Sequence, residues 1–287
     1  MKEMTGHTQL TGLLGSPVAH SISPQMHNEA FRQLDLDYAY LAFDVKETEL
    51  EKAVDGLRAL GVRGFNITMP HKNAMCTLCD SLSPAAGIIG AVNTVVNENG
   101  RFIGYTTDGS GYLRALAADG HTIFGKKMTL LGAGGAATSI FVQAALDGVS
   151  EISIFSRRSP YFERATKIIE SLRSYSDCKI HIYDFDDPMV LKREIAESAI
   201  LTNATSVGMA PNTETSLIDD SAILRKDLIV SDVIYNPRET KLLRLAREAG
   251  CKTQNGLLML LYQGAEAFKL WTGQEMPVAA IRNKYFD

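Results

Sequence analysis

No stretch of this sequence stays apolar for the roughly 18 consecutive residues that a membrane-spanning helix requires. The opening residues MKEMTGHTQL carry neither the basic start nor the apolar core of a secretory signal. A cytoplasmic protein is expected. Positive charge is not in excess: 29 Lys and Arg stand against 33 Asp and Glu, a formal net charge of −4. That balance excludes binding driven by a broad basic surface, so neither nucleic acid nor an anionic membrane is an expected partner, and any anionic ligand must be held locally. Cysteine is scarce, with Cys76, Cys79, Cys178 and Cys251 alone. Only the first two have ligand-like C-x-x-C spacing, and a structural zinc site needs two more ligands at suitable spacing. No metal is expected, and the thiols read as reduced and partly buried. Asn66-Ile67-Thr68 and Asn203-Ala204-Thr205 match the glycosylation sequon, but a chain without a secretion signal does not meet that machinery.

What is present is ordinary globular material, 45% hydrophobic and 22% charged. Its 287 residues exceed what one core usually holds. Two domains are expected: residues 1–110 completed by 256–287, and residues 111–255. Apolar runs over Gln9–Gly15, Tyr38–Val45 and Val62–Thr68 read as strands. Between the first two a helix starts near Ser23, whose hydroxyl would cap it ahead of Pro24. A second helix opens at Thr48, with Glu51 completing a capping box and Leu50, Val54, Leu57 and Leu60 forming its apolar stripe. The β-α-β-α-β alternation predicts parallel strands with crossover helices.

A second series starts at Lys127, whose strand runs into Gly132-Ala133-Gly134-Gly135-Ala136-Ala137 and a helix to about Asp147. Strands at 151–155, 179–183, 199–203 and 228–233, with helical patterns between several of them, predict an α/β doubly wound domain. Thr107–Leu116 reads as a hinge helix made flexible by its Asp-Gly-Ser-Gly start, and Gly256–Trp271 as a helix that returns to pack on the first domain.

Gly132, Gly134 and Ala137 fill the three small positions of G-x-G-x-x-[GA] between a strand and a helix, the context that marks a dinucleotide site. Free N–H groups and the positive end of the helix dipole would hold the pyrophosphate. A typical NAD site has an acid at the end of its second strand. Here Ser156-Arg157-Arg158-Ser159 stands there instead. Two guanidiniums suit a 2′-phosphate, so NADP is the expected cofactor and NAD the alternative.

Toward the first domain's end of the chain, Ser21 and Ser23 share a side of an extended segment, and their hydroxyls suit either a carboxylate or a helix cap. Asn66, Thr68 and Lys72 follow a parallel strand, on the edge where catalytic groups usually sit. Lys72 and His71 are rival bases for exchanging a proton with a hydroxyl. Asn93 and Asp108 follow further strand ends, Asp108 doubling as a possible helix cap.

Taken together, SPVAHSISP, NITMPHK, GAVNT, TDGSG, GAGGAA, NATSVGM, DVIYNP and GLLMLLYQGAEAFKLWTG resemble, in order and over nearly the whole chain, the shikimate dehydrogenase family, in particular its quinate/shikimate branch. The resemblance implies an N-terminal mixed α/β substrate domain, a Rossmann cofactor domain, and C-terminal helices packing on the first. It implies hydride transfer between C3 of shikimate and a nicotinamide, giving 3-dehydroshikimate, a step of aromatic amino-acid biosynthesis. Lys72 and Asp108 would form the catalytic pair. Ser21 and Ser23 would take the carboxylate, with Asn66, Thr68, Asn93, Tyr235 and Gln263 around the hydroxyls. Gly132, Ala133, Gly134, Gly135, Ala136, Ser156, Arg157, Arg158, Ser159, Thr205, Ser206, Val233, Gly256 and Met259 would line the cofactor site. The NAD-using branch carries an aspartate where this chain has Ser159. Quinate with NAD therefore stands as the alternative, a non-catalytic NAD(P)-binding sensor as the reading from another class, and the oligomer as monomer or homodimer.

Overall fold

The computed structural model describes residues 4–286; residues 1–3 and 287, assigned above to the first domain, lie outside the described residues. The chain divides into two units, Met1–Thr107 with Leu261–Asp287, and Asp108–Leu260. Both boundaries differ by a few residues from those expected. Asp108 belongs to the second unit because it opens a helix whose backbone touches that unit's next helix. The return to the first unit falls inside the last long helix, after Leu260.

The first unit runs β1 (Gln9–Gly15), α1 (Ser23–Gln33), β2 (Tyr38–Asp44), α2 (Leu50–Ala59), β3 (Gly64–Ile67), α3 (Met75–Leu78), β4 (Ser81–Leu82), α4 (Pro84–Ile89), β5 (Thr94–Glu98) and β6 (Arg101–Tyr105). Its sheet has the order β2-β1-β3-β5-β6-β4. The β2-β1-β3 half is parallel, as the alternation predicts. The other half is antiparallel where β5 meets β3 and β6, so the sheet is mixed. Asn99 and Gly100, at φ 54° and 88°, make the two-residue turn between Glu98 and Arg101. Positive φ at both central residues is what a type I′ hairpin demands, and Asn-Gly satisfies it.

Two expected caps are absent. Thr48 is taken into a short 3₁₀ turn at Glu47–Glu49, and α2 begins after it with no side-chain cap. At α1 the N-cap position is Ile22, and it is Ser21 whose Oγ accepts a helix-start amide, that of Ser23, at 3.2 Å.

Leu14, Val54, Phe65, Ile67, Val95 and Phe102 form the core over this sheet. It is completed by the end of α10 (Leu257–Thr272), followed by α11 (Val278–Tyr285), after the second unit has intervened in the chain. Trp271 is 1% exposed and its indole N–H donates to Val95 O at 2.9 Å. A Cβ on Gly64 would lie 2.3 Å from that nitrogen, so the strand needs a glycine for the tryptophan to dock. Burial of so large a side chain ties the C-terminal segment to the first sheet, and truncation would cost about 3–5 kcal/mol.

The second unit runs α5 (Asp108–Ala118), β7 (Lys127–Leu131), α6 (Gly135–Leu146), β8 (Glu151–Ser156), α7 (Pro160–Leu172), β9 (Lys179–Asp184), α8 (Pro188–Glu197), β10 (Ile200–Asn203), β11 (Ile229–Asp232), α9 (Lys241–Glu248) and β12 (Lys252–Gln254). The order β12-β11-β10-β7-β8-β9 is parallel throughout. This is the doubly wound arrangement, and its strand order reverses between β7 and β10, the point where such sheets bind ligands. The four central strands β11, β10, β7 and β8 are buried over nearly their whole length, as central parallel strands must be, whereas the edge strands β9 and β12 are not. At the start of α5, a Cβ on Gly109 would lie 2.2 Å from Ser139 O of α6. Glycine there lets two helices approach closely.

Candidate active site

At the carboxyl end of β7, Gly132 has φ +114°, and a Cβ on it would meet Ala204 O and Thr205 Cγ2, both at 2.9 Å. Conformation and packing both demand glycine. Gly134 is different. It is the N-cap of α6 with an extended backbone, φ −74° and ψ −171°, and a Cβ there would meet nothing within 4 Å; Gly135 is equally open. The protein itself does not need glycine at 134, so what remains is a ligand approaching the backbone at the helix N-terminus. Ala133 and Ala137 are buried, Ala137 completely, and Ala136 stands half-buried between them on α6. The residues fit a dinucleotide pyrophosphate.

Across the switch point, the loop after β10 is knitted by Asn203. Its Oδ1 accepts from Thr205 N–H at 3.1 Å and from Thr205 Oγ1 at 2.7 Å, while its Nδ2 donates to Val207 O and to Asp232 Oδ1 at 3.0 Å. Ser206 is exposed beside them. Asp232, 1% exposed, also accepts from Ile234 N–H and Thr240 Oγ1. Burial pushes its carboxyl up to about 6, against the pull of these donors. Gly256 packs on the next residue so closely that a Cβ would lie 1.9 Å from Val233 O, which puts the half-buried Met259 in the first turn of α10 after it. Asn203, Asp232 and Thr240 were missed from sequence. The available signal was an Asn and an Asp closing two buried strands, where polar groups need partners.

After β8, Ser156 is buried and donates to Arg157 O, and Arg157 is exposed. Arg158 donates from Nε to Asp184 Oδ2 at 3.0 Å, its guanidinium carbon 4.3 Å above the Phe162 ring. Ser159 caps α7, accepting from Phe162 N–H.

In the first unit, two loops run side by side past β1 and β3: a Cβ on Gly15 would lie 2.2 Å from Thr68 Cγ2, and Ser16 N–H donates to Met69 O. On or beside these loops Ser21, Ser23, Thr68 and Lys72 are half-buried, and Asn66 and Asn93 are buried. Asn66 Oδ1 accepts from Tyr40 OH at 2.8 Å, and Asn66 Nδ2 donates to Asn93 O and to Thr94 Oγ1. Asn93 in turn donates from Nδ2 to Thr107 Oγ1 and accepts from Thr107 N–H at 2.8 Å. Tyr40, Thr94 and Thr107 were not singled out from sequence, because their partners are distant in the chain. Lys72 O accepts from Val92 N–H, which ties that segment to Asn93. His71 is 1% exposed with Nε2 2.8 Å from Val45 O, a contact that requires that nitrogen to donate. Gln263 lies half-buried on α10 in this unit, whereas Asp108 and the half-exposed Tyr235 belong to the second. Among the described residues no group of three or more His, Cys, Asp or Glu could hold a metal ion, and no helix is long and apolar enough to cross a membrane.

Residues 13–95 match the shikimate dehydrogenase substrate binding domain, and residues 256–284 the shikimate 5′-dehydrogenase C-terminal domain. A shikimate dehydrogenase (NADP(+)) of Listeria monocytogenes is 54% identical over 285 residues, covering 99% of this chain and 98% of its own. The crystal structure of shikimate 5-dehydrogenase from Listeria monocytogenes, in complex with shikimate and NAD, superposes with a TM-score of 0.95 at 54% identity over 99% of this chain and 98% of that one. Quinate dehydrogenase from Corynebacterium glutamicum, in complex with NAD, reaches a TM-score of 0.83 at 30% identity, covering 96% of this chain and 98% of its own. With such identity along almost the full length of both chains, on a sheet order and a glycine turn of the kind described, this chain belongs to the shikimate dehydrogenase family.

Proposed function

We propose that this chain catalyses the reversible oxidation of shikimate to 3-dehydroshikimate with NADP, working in the cytoplasm as a monomer or homodimer. The observation that carries the assignment of the base is the contrast between two neighbours. His71 is buried on Val45 O, which leaves Lys72 as the proton acceptor of that loop. Bound NADP supplies the hydride acceptor. As the hydride leaves carbon the alcohol proton must go too, so a base within about 3 Å of the hydroxyl is needed. Lys72 takes that proton, and its ammonium stabilises alkoxide character when the reaction runs back. Asp108 is its acidic counterpart.

Ser21 suits the substrate carboxylate because its oxygen already accepts the Ser23 amide, so the hydroxyl proton is available to donate. Ser23 supplies the second hydroxyl. Asn66 spends both amide hydrogens on Asn93 O and Thr94 Oγ1 and one lone pair on Tyr40, which leaves one lone pair to accept from a substrate hydroxyl. Thr68, Asn93, Tyr235 and Gln263 complete the recognition of the hydroxyls. Gly132 to Ala136, Ser156 to Ser159, Thr205, Ser206, Val233, Gly256 and Met259 receive the cofactor.

Following reduced-cofactor absorbance with shikimate or quinate, each with NADP or NAD, tests the whole reading. Turnover is expected to be highest with shikimate and NADP, and no turnover in any combination refutes it. Lys72→Ala should lower kcat by roughly 10²-fold while substrate still binds.

A further inference from the structure

We infer that Asp184, on β9, is a specificity-determining residue that weakens the preference of this site for NADP over NAD. The inference rests on the nucleotide-binding reading above. In the parallel register of β8 and β9, Asp184 is the partner of Ser156, and each is the last residue of its strand. Neighbouring strands lie about 4.8 Å apart. The carboxylate that an NAD site carries at the end of its second strand is therefore present here, displaced by one strand.

Its position has two consequences. Asp184 engages Arg158 through Nε at 3.0 Å and holds it against Phe162, although the Arg158 side chain is otherwise 73% exposed. One of the two guanidiniums available for a 2′-phosphate is thus already paired, while the exposed side chain of Arg157 makes no hydrogen bond or ion pair among the described residues. Second, a fixed negative charge stands beside the strand end that would receive that phosphate. The repulsion falls on NADP alone, since NAD offers a ribose hydroxyl that a carboxylate can accept. Specificity set this way is a difference between two affinities, and Asp184 acts mainly against one of them.

The ion pair is partly exposed and exposed pairs are weak, so the effect is modest. Asp184→Asn should raise the ratio of kcat/KM with NADP to that with NAD, shikimate being the substrate, by about three- to tenfold, through a lower KM for NADP. Asp184→Ser, which cannot mimic the carboxylate's shape, should move the ratio the same way. The Kd ratio for the two nucleotides from titration calorimetry should follow, a readout that needs no turnover. An unchanged or lower ratio in both variants, with melting temperatures like that of the parent, overturns the inference. A parent protein that binds neither nucleotide overturns the cofactor reading as well, whereas one that binds both with a ratio blind to residue 184 overturns the inference alone.

Discussion

Replacing His27 with phenylalanine should flatten the acid dependence of stability in the first unit. His27, on α1, is fully buried, and neither ring nitrogen has a hydrogen-bond partner among the described residues. Its ring stacks on Tyr40, with centroids 4.5 Å apart, and lies among Phe31, Phe268 and Trp271. Burial lowers its pKa from 6.5 to about 3. A folded value below the unfolded one means that protons favour the unfolded chain. The stability tied to the neutral ring is therefore complete above pH 6.5 and drains away as the pH falls toward 3. Each pH unit within that window is worth about 1.4 kcal/mol, so at pH 5 the loss is about 2 kcal/mol and at pH 4 about 3 kcal/mol. Phenylalanine keeps the ring stack but adds one heavy atom, and the overpacking cost of about 1–3 kcal/mol is independent of pH. The comparison is thus between slopes and not absolute stabilities. Trp271 is the single tryptophan of the chain and its ring centroid is 5.2 Å from that of His27, so its fluorescence reports urea unfolding of this core. Between pH 7.5 and 5 the parent should lose about 2 kcal/mol more than the variant. Parallel curves, within about 0.5 kcal/mol, would refute the claim that the imidazole is held neutral.

The second unit yields three further tests. Gly134→Ala should leave the melting temperature of the free protein near the parent's while raising KM for the dinucleotide about tenfold, since its Cβ meets only space that the pyrophosphate would use. Gly109→Ala should do the reverse, lowering the melting temperature because its Cβ would lie 2.2 Å from a backbone oxygen of α6. Lys127→Met should destabilise by about 3 kcal/mol in urea, because Lys127 lies 2.7 Å from Glu194 and its loss strips an ammonium from a carboxylate 4% exposed. Burial raises the pKa of Glu194, yet hydrogen bonds from Lys127, Ser153 and Arg193 outweigh it and hold the group at about 2. The stability it contributes in the parent is present above about pH 4.5 and lost as the pH falls toward 2, and that acid limb should shrink in the variant.

The doubly wound half of the fold was legible because its signals are local. A buried strand running into Gly132-Ala133-Gly134 and then a helix is a stretch of some fifteen residues, and the right-handed crossover fixes the face of the sheet on which that helix packs. The antiparallel half of the first sheet has an equally local signal in Asn99-Gly100, the two-residue turn of a hairpin. The caps at Ser23 and Thr48 failed for another reason: a neighbouring backbone conformation, here a 3₁₀ turn and an Ile22 N-cap, decides which hydroxyl reaches an amide. Polar partners in the site were out of reach of any local pattern. Tyr40 and Asn66 are 26 residues apart, Asn66 and Thr94 28, and Asn203 and Asp232 29. Sequence named Asn66 and Asn93 but could not show that they share a network, nor that the His71 ring faces the Val45 carbonyl.

Strand β7 shows why these tests separate cleanly. At its amino end Lys127 gathers Glu151, Glu194 and Glu197, a concentration of charge that binds neighbouring elements together. Five residues on, at its carboxyl end, Gly132 turns the chain into the open space at Gly134. Parallel strands force this polarity, since every carboxyl end opens into a loop and a helix start, with free amides and room for a phosphate, whereas every amino end is reached by a helix finishing its crossover. A change at residue 127 should therefore move stability with little effect on nucleotide affinity, and a change at 134 should do the opposite. The same logic places Asp232 in an exposed position energetically, though not sterically. It is a buried carboxylate at a carboxyl end, held by Asn203, Ile234 and Thr240, and it links the loops that follow β10 and β11. Losing any one of those donors leaves a charge to be buried with fewer partners, so the loop geometry at this end depends on the network being complete.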